Sequence, residues 1–151
     1  MKNLVLTMLF ASAISLASSL PVRAEESKGA EACIGDCRKC AERCEKTLEY
    51  FQSKGGKYLE PDKIRLLKDC IATCKLSAEF KSRNSEFQGK AASLCADVCH
   101  KCAAMCDELK DPQLKDCVDM CNTCASSCAA HGKTTGGAGG DCCSGHKRKS
   151  D

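Results

Sequence analysis

Apolar side chains and cysteines recur every three or four positions along four segments of the chain, and the positions between them are largely polar or small. This spacing places the recurring side chains on one face of an α-helix, because each residue turns the helix by about 100°. The pattern therefore predicts four helices with one inward face each. Their expected limits are residues 31–53, 61–83, 90–110 and 112–131.

Short connections separate these helices. Gly55 and Gly56 end the first helix, and Pro61 suits the first turn of the second. Asp111 and Pro112 stop the third helix just before the fourth begins. Short connections between helices of similar length are typical of bundles in which neighbours run antiparallel. The predicted fold class is therefore all-α, an antiparallel up-down-up-down four-helix bundle with a cysteine-lined core.

Cysteine dominates the inward faces of the four predicted helices. The spacing Cys-x3-Cys-x2-Cys-x3-Cys occurs three times, and a shorter Cys-x3-Cys occurs once. On a helix these positions fall within a stripe roughly 60° wide, so the thiols of each segment face the same way. The cysteines on these stripes are Cys33, Cys37, Cys40, Cys44, Cys70, Cys74, Cys95, Cys99, Cys102, Cys106, Cys117, Cys121, Cys124 and Cys128.

The two ends of the predicted bundle differ in chemistry. With a rise of about 1.5 Å per residue, the thiol stripes of antiparallel neighbours overlap in height. The rise also predicts a hydrocarbon plug at one end, made of Leu48, Phe51, Leu66 and Leu67. Cys33, Cys128 and His131 are expected together at the other end.

Composition supports a core in which sulfur replaces aromatic bulk. The chain has 16 cysteines in 151 residues, no Trp, two Tyr and four Phe. A cysteine content above about 8–10% marks a chain held together by sulfur or by what sulfur binds. The formal net charge of +3 gives no indication of a nucleic-acid surface. No catalytic motif stands out, so the sequence does not predict an enzyme.

The chain divides into three predicted parts. Residues 1–24 resemble an export signal, with Lys2 before an apolar and small-residue run and a small side chain, Ala24, at the end. A membrane anchor is the less favoured alternative, because the run is short and rich in serine. Residues 25–131 form the bundle, with no membrane span expected after the signal. Residues 132–151 form a flexible glycine-rich tail with a basic end. This organisation predicts an exported protein, periplasmic or secreted.

Three explanations compete for stripes of cysteine. Packing alone does not explain why Cys replaces Leu, Ala and Val at fourteen positions. Disulfide bonds are plausible in an exported protein. Within one helix, Cβ atoms three or four residues apart lie about 5–6 Å from each other, whereas a disulfide needs about 3.8 Å. A helical protein stapled by disulfides between its helices, with a structural or interaction role, is therefore the alternative to metal binding.

Soft-metal binding is the third explanation, and Cu(I) is the metal that fits best. Thiolates select Cu(I), Zn(II) or iron–sulfur clusters. Each Cu(I) carries one positive charge and accepts two or three sulfurs, so bridging thiolates hold about one ion each with little net charge. Zinc prefers four ligands drawn from short loops, whereas a straight helical stripe is expected to supply pairs. Iron–sulfur sites favour tighter loop spacings.

The repeated cysteine spacing resembles that of the bacterial copper storage proteins. The resemblance covers residues 33–131, including the stretches Cys99-His100-Lys101-Cys102 and Cys124-Ala125-Ser126-Ser127-Cys128. It implies a four-helix bundle whose cysteines bind many Cu(I) ions for storage and buffering, often in an oligomer of bundles. It also implies copper enzymes or chaperones as recipients of the copper. The chain departs from the resemblance in lacking a twin-arginine signal.

Several other side chains are candidate ligands. His131 continues the stripe of the fourth helix, where it serves either as a ligand that hands copper inward or as a partner of the helix dipole. His100 is predicted on the outer face. Met105 and Met120 lie at stripe edges, as thioether ligands or as gap-fillers. In the tail, Cys142, Cys143 and His146 either capture a soft metal or belong to a disordered segment.

Overall fold

The computed structural model describes residues 21–132, with side chains described from residue 27 onward. This part of the chain contains four α-helices. They are α1 (Pro21–Lys54), α2 (Pro61–Ser82), α3 (Gln88–Glu108) and α4 (Lys115–Gly132). Short 3₁₀ turns at Gly56–Leu59 and Pro112–Leu114 join α1 to α2 and α3 to α4. The predicted all-α fold is confirmed.

Each helix packs against its neighbours around one core. Contacts join α1 to α2, α2 to α3, α3 to α4, and α4 back to α1. The sulfurs of Cys44 and Cys70 lie 3.6 Å apart, and Cys40 and Cys74 belong to one group of thiols one turn further along. Increasing residue numbers on α1 thus meet decreasing numbers on α2. This register fits the predicted up-down-up-down order.

Three of the four predicted helices lie within a few residues of their expected limits, but the first does not. The predicted start of α1 at residue 31 is wrong, since the helix begins at Pro21. The prediction followed the apolar stripe, which begins at Cys33. Residues 21–32 contain three Glu and three Ala, which favour a helix without any apolar face. The fourth segment also starts later than predicted, because residues 112–114 form a 3₁₀ turn.

Most of residues 1–24 and of residues 132–151 lies outside the described part of the chain. The export signal and the glycine-rich tail, with Cys142, Cys143 and His146, therefore stay predictions. Within the described residues, no helix combines the length and apolar character needed to cross a membrane.

The hydrocarbon plug is present in a different form from the predicted one. Phe51 and Leu67 are completely buried, whereas Leu48 and Leu66 are only half-buried. Thr47 takes the buried position next to Leu48 on α1, where its hydroxyl donates to the Arg43 carbonyl oxygen at 2.9 Å. Leu114, in the connection between α3 and α4, is 1% exposed and adds a further buried hydrocarbon side chain at this end.

Tyr50 and Tyr58 form hydrogen bonds with the connection between α3 and α4 at this end of the bundle. Both hydroxyls donate to Asp111 Oδ2, each at 2.7 Å. The Tyr58 ring also packs edge-on against Phe51, with centroids 5.2 Å apart. The hydrogen bonds from Tyr50 and Tyr58 lower the pKa of the Asp111 carboxyl. The same carboxylate raises the pKa of Tyr58 to about 12.

These pKa shifts predict a stability that depends on pH at both extremes. A lowered pKa of Asp111 stabilises the fold above the ordinary value of about 3.9, and this stabilisation is lost as the pH falls further. A raised pKa of Tyr58 stabilises the fold below about pH 10, and this stabilisation is lost between about pH 10 and 12. In Asp111→Asn, thermal unfolding of the reduced, metal-free protein should therefore depend less steeply on pH in both ranges. Asp97→Asn, at an exposed position of α3, is the control and should follow the wild type. Superimposable curves for Asp111→Asn and the wild type would contradict the assignment.

Candidate metal centre

The cysteines on the four stripes all point into the bundle. Each of these fourteen side chains is at most 1% exposed, and each is a free thiol. Helices α1, α3 and α4 contribute four thiols each, and α2 contributes two. The sequence prediction of an inward thiol stripe on every helix therefore agrees with the burial of each of these residues.

The sulfur atoms lie close together without being bonded. Neighbouring sulfurs on different helices are separated by 3.4 Å for Cys37 and Cys128 and by 3.6 Å for Cys74 and Cys99. A disulfide bond is about 2.05 Å long. The described residues thus give no support to the alternative of a bundle stapled by disulfides.

The thiols form four groups in which all four sulfurs lie within 4.8 Å of one another. Adjacent groups share members, and the shared thiols are Cys40, Cys44, Cys121 and Cys124. The groups, in order along the bundle, are Cys37, Cys95, Cys124 and Cys128; Cys40, Cys74, Cys99 and Cys124; Cys40, Cys44, Cys70 and Cys121; and Cys44, Cys102, Cys117 and Cys121.

The two remaining cysteines extend this arrangement at its ends. Cys33 Sγ lies 3.9 Å from Cys128 Sγ, and Cys106 Sγ lies 3.8 Å from Cys117 Sγ. All fourteen thiols therefore belong to one continuous network along the bundle axis. Because each shared thiol serves two groups, the network suits a metal that accepts bridging sulfur.

The expectation that helical stripes supply only pairs of thiols is wrong. Each group draws its sulfurs from three or four helices, so stripes on separate helices combine into sets of four. Four sulfurs is also the number that Zn(II) takes. The feature that favours Cu(I) is instead the sharing of thiols between consecutive groups.

Hydrogen bonds between thiols make some of them easier to ionise. The pKa of Cys33 is lowered well below its usual range, chiefly by hydrogen bonds with Cys128 and then Cys37. The Lys81 ammonium acts in the same direction. The pKa of the partner thiol Cys128 is raised instead, chiefly by its hydrogen bond with Cys124 and then by the one with Cys33, so one thiol of each pair ionises before the other. Metals bind the thiolate form.

His131 lies at the Cys33 end of the bundle, as the sequence predicts. The imidazole is half-buried in the last turn of α4, facing α1 at Gly29. A Cβ atom placed on Gly29 would lie 3.3 Å from His131 Cε1 and 3.5 Å from Nε2. None of the four thiol groups found in residues 27–132 includes His131, so its role as a ligand stays a prediction.

The other side ligands stand apart from the four groups. His100 is exposed, in agreement with its predicted place on the outer face. Met105 and Met120 are half-buried and pack against the core, which fits gap-filling at the stripe edges. No structural finding assigns a metal to either thioether.

Two buried residues at the Cys33 end were not predicted from the sequence. Ser77 and Lys81 on α2 are buried, at 0% and 6% exposure. They stand seven and eleven residues after Cys70, at the spacings that the third and fourth cysteines occupy in the full repeats. The repeat itself was the signal that could have found them.

Comparisons with known proteins agree with this geometry. The family model of the copper storage proteins matches residues 26–133. The cysteine-rich protein YhjQ of Bacillus subtilis strain 168, described as uncharacterized, is 29% identical over 76 residues, which are 50% of this chain and 70% of YhjQ.

Solved structures of similar proteins share the fold. The structure of Nmul_A1745 from Nitrosospira multiformis has a TM-score of 0.67 and 30% identity, covering 70% of this chain and 96% of that one. The Cu(I)-bound copper storage protein BsCsp3 has a TM-score of 0.65 and 27% identity, over 69% and 98% of the two chains. Apo copper storage protein 3 from Bacillus subtilis has a TM-score of 0.56 and 28% identity, over 68% and 98%.

The family match covers all four helices except the first five residues of α1, and it includes every cysteine of the thiol network. It confirms the resemblance drawn from the cysteine repeats, and together with the thiol groups it supports several Cu(I) ions as the cargo. The chain belongs to the copper storage protein family.

Proposed function

We propose that this protein stores and buffers copper by holding many Cu(I) ions on the fourteen thiols of the bundle core. The observation that carries the proposal is the continuous network of free, buried thiols. The similarity to the Cu(I)-bound structure of BsCsp3 supports the choice of metal. The protein acts by binding and release rather than by catalysis.

Charge balance explains why this core suits Cu(I). Fourteen thiolates without counter-ions would place a large negative charge in a region shielded from water, which is energetically prohibitive. One Cu(I) ion for each thiolate neutralises that charge, provided that thiolates bridge neighbouring ions. Sulfur separations of 3.4–3.9 Å provide such neighbours over most of the network, and the Cys102 sulfur lies within 4.8 Å of three others. Copper is then passed along the core by exchanging one thiolate for the next.

The point of access that we propose is the His131 end. The opposite end is closed by Phe51, Leu67 and Leu114, all buried. At the His131 end, Gly29 and Ala30 precede Cys33 on α1 and add little bulk. The His131 imidazole provides a nitrogen ligand that passes copper to the terminal thiols.

The export signal predicted at residues 1–24 places the store outside the cytoplasm, in the periplasm or secreted. We propose that copper enzymes or copper chaperones in that compartment receive the metal. Association of several bundles into a homo-oligomer is part of the same proposal, in line with the family resemblance.

Anaerobic titration with Cu(I) against a competing chelator tests the storage function. The reduced protein should first show its buried thiols in a thiol assay after unfolding, and should then bind on the order of one Cu(I) per thiolate, as elemental analysis would report. Zn(II), at four thiolates per ion, should reach only about three ions. Saturation at one or two Cu(I) ions would contradict a storage role.

A further inference from the structure

Helix α2 carries a changed version of the cysteine repeat. Its inward positions read Cys70, Cys74, Ser77 and Lys81, with the same spacing as the four cysteines of each full repeat. A hydroxyl and an ammonium group therefore stand where the other three helices place thiols. Both substituted positions belong to the half of α2 nearest the Cys33 end.

Ser77 contacts a terminal thiol, and the helix carries Lys81 one turn further towards the same end. Ser77 Oγ lies 3.9 Å from Cys128 Sγ, and Cys128 Sγ lies 3.9 Å from Cys33 Sγ. Lys81 is one helical turn beyond Ser77 on the same face, and its positive charge acts on Cys33. Among residues 27–132, no carboxylate lies within ion-pair distance of the Lys81 ammonium.

Lys81 is 6% exposed as a residue, yet no buried side-chain nitrogen among the described residues lacks a hydrogen-bond partner. Its hydrocarbon stem is therefore buried, and its ammonium reaches the water-facing edge of this end. A fourth thiol at this position would have added storage capacity, whereas an ammonium adds none. The open end of the store therefore carries a fixed positive charge from Lys81, next to the first thiol that incoming copper meets. A fixed positive charge attracts anions and repels free cations.

We propose that Lys81 forms a docking site for anionic Cu(I) complexes at the open end of the bundle. The inference rests on the proposed storage function and names the form in which copper arrives. Cu(I) held by two thiolates carries one net negative charge, and carboxylate groups on the carrier add more. Lys81 holds such a complex beside Cys33 while the ligands exchange.

The exchange involves no change of oxidation state. A Cu–S bond to the carrier breaks as a Cu–S bond to the Cys33 sulfur forms, and the released carrier thiolate carries away a proton from the hydrogen-bonded pair of Cys33 and Cys128. The copper then carries one carrier thiolate and one protein thiolate. A second exchange, with Cys128, releases the remaining carrier ligand in the same way.

Loading rates from two matched carriers test the docking site. 3-Mercaptopropionate and cysteamine share a two-carbon spacer and one thiol, but their tails are a carboxylate and an ammonium. Loading of the full-length, reduced protein is followed anaerobically by thiolate-to-copper charge-transfer absorbance. The wild type should load faster from the mercaptopropionate complex, and Lys81→Met should reduce that rate by about tenfold without slowing loading from cysteamine. Raising the salt concentration should diminish the difference in the wild type.

Two further variants separate charge from packing. Lys81→Arg keeps the charge and should keep the preference for the anionic complex. Lys68→Met removes an exposed lysine from the same helix and should behave as the wild type. Equal slowing with both carriers in Lys81→Met, or an unchanged preference, would overturn the docking site. The number of ions held by the wild type at saturation tests the storage function separately.

Discussion

Replacing the four shared thiols by alanine should remove about two-thirds of the copper that the protein holds, far more than four ions. The residues are Cys40, Cys44, Cys121 and Cys124, each of which belongs to two of the four groups. Without them, every group loses at least one sulfur, and the third group keeps only Cys70. If thiolates bridge neighbouring ions, the loss of a shared thiol weakens the sites on both of its sides.

A second quadruple variant is the matched control for this prediction. It replaces Cys33, Cys95, Cys102 and Cys106, which are equally buried but are not shared between groups. The second and third groups stay intact in this control, so its capacity should fall by only about one ion per thiol removed. Both capacities are measured by anaerobic Cu(I) titration, with circular dichroism reporting the helical content. Alanine keeps the helix propensity high in both variants.

Equal losses of copper in the two quadruple variants would show that each thiol acts by itself, and would contradict bridging. The single variants Cys121→Ala and Cys106→Ala repeat the comparison with less disturbance of the core. Of these two, Cys121→Ala should lose more copper, because Cys121 belongs to two groups and Cys106 to none.

The positions of the cysteines were predictable because they depend only on helical geometry. Three-and-four spacing determines which face of a helix a side chain occupies, whatever the rest of the fold does. For this reason the inward face of each helix and the outward place of His100 follow directly from the sequence. The bundle itself follows from short connections between helices of similar length.

Features that depend on how the helices pack against one another were harder to predict from the sequence. The sets of four thiols arise only when stripes from three or four helices converge, and no single stripe contains that information. Leu114 lies three residues before Cys117 within the predicted fourth helix, and it was missed because that stripe was followed only through its cysteines. The structure places it in a 3₁₀ turn. The start of α1 at Pro21 was missed because its first residues have helix propensity without an apolar stripe.

Lys81 shows a different limit of prediction from the sequence. Its spacing from Cys70 was visible in the sequence, yet a lysine on an apolar face is ordinarily taken to extend towards solvent. In the structure the Lys81 stem is buried one turn beyond Ser77, which contacts Cys128, so its charge lies at the Cys33 end of the core. Substitutions within a repeat therefore carry as much information about function as the repeat itself.

Truncating Phe51 to alanine should destabilise the metal-free protein by about 3–5 kcal/mol, a large share of the about 5–15 kcal/mol typical of a folded domain. Apart from sulfur, few large side chains fill this core, and Phe51 is the largest of those that are completely buried. Its ring closes the end of the thiol network and packs edge-on against Tyr58. Urea unfolding under reducing conditions measures the loss, and Phe87→Ala, at a 51% exposed ring, should cost far less.

Copper should rescue the Phe51→Ala variant, because a ligand that binds only the folded state stabilises it by mass action. For one site at a thousand times its dissociation constant the gain is about 4 kcal/mol, and several sites contribute. The copper-loaded variant should therefore unfold at a higher urea concentration than the metal-free wild type, with its copper capacity intact, since Phe51 contributes no ligand. Rescue with full capacity would separate the plug, which maintains the fold, from the thiols, which hold the metal. A variant that folds but binds much less copper would mean that the plug also shapes the thiol network.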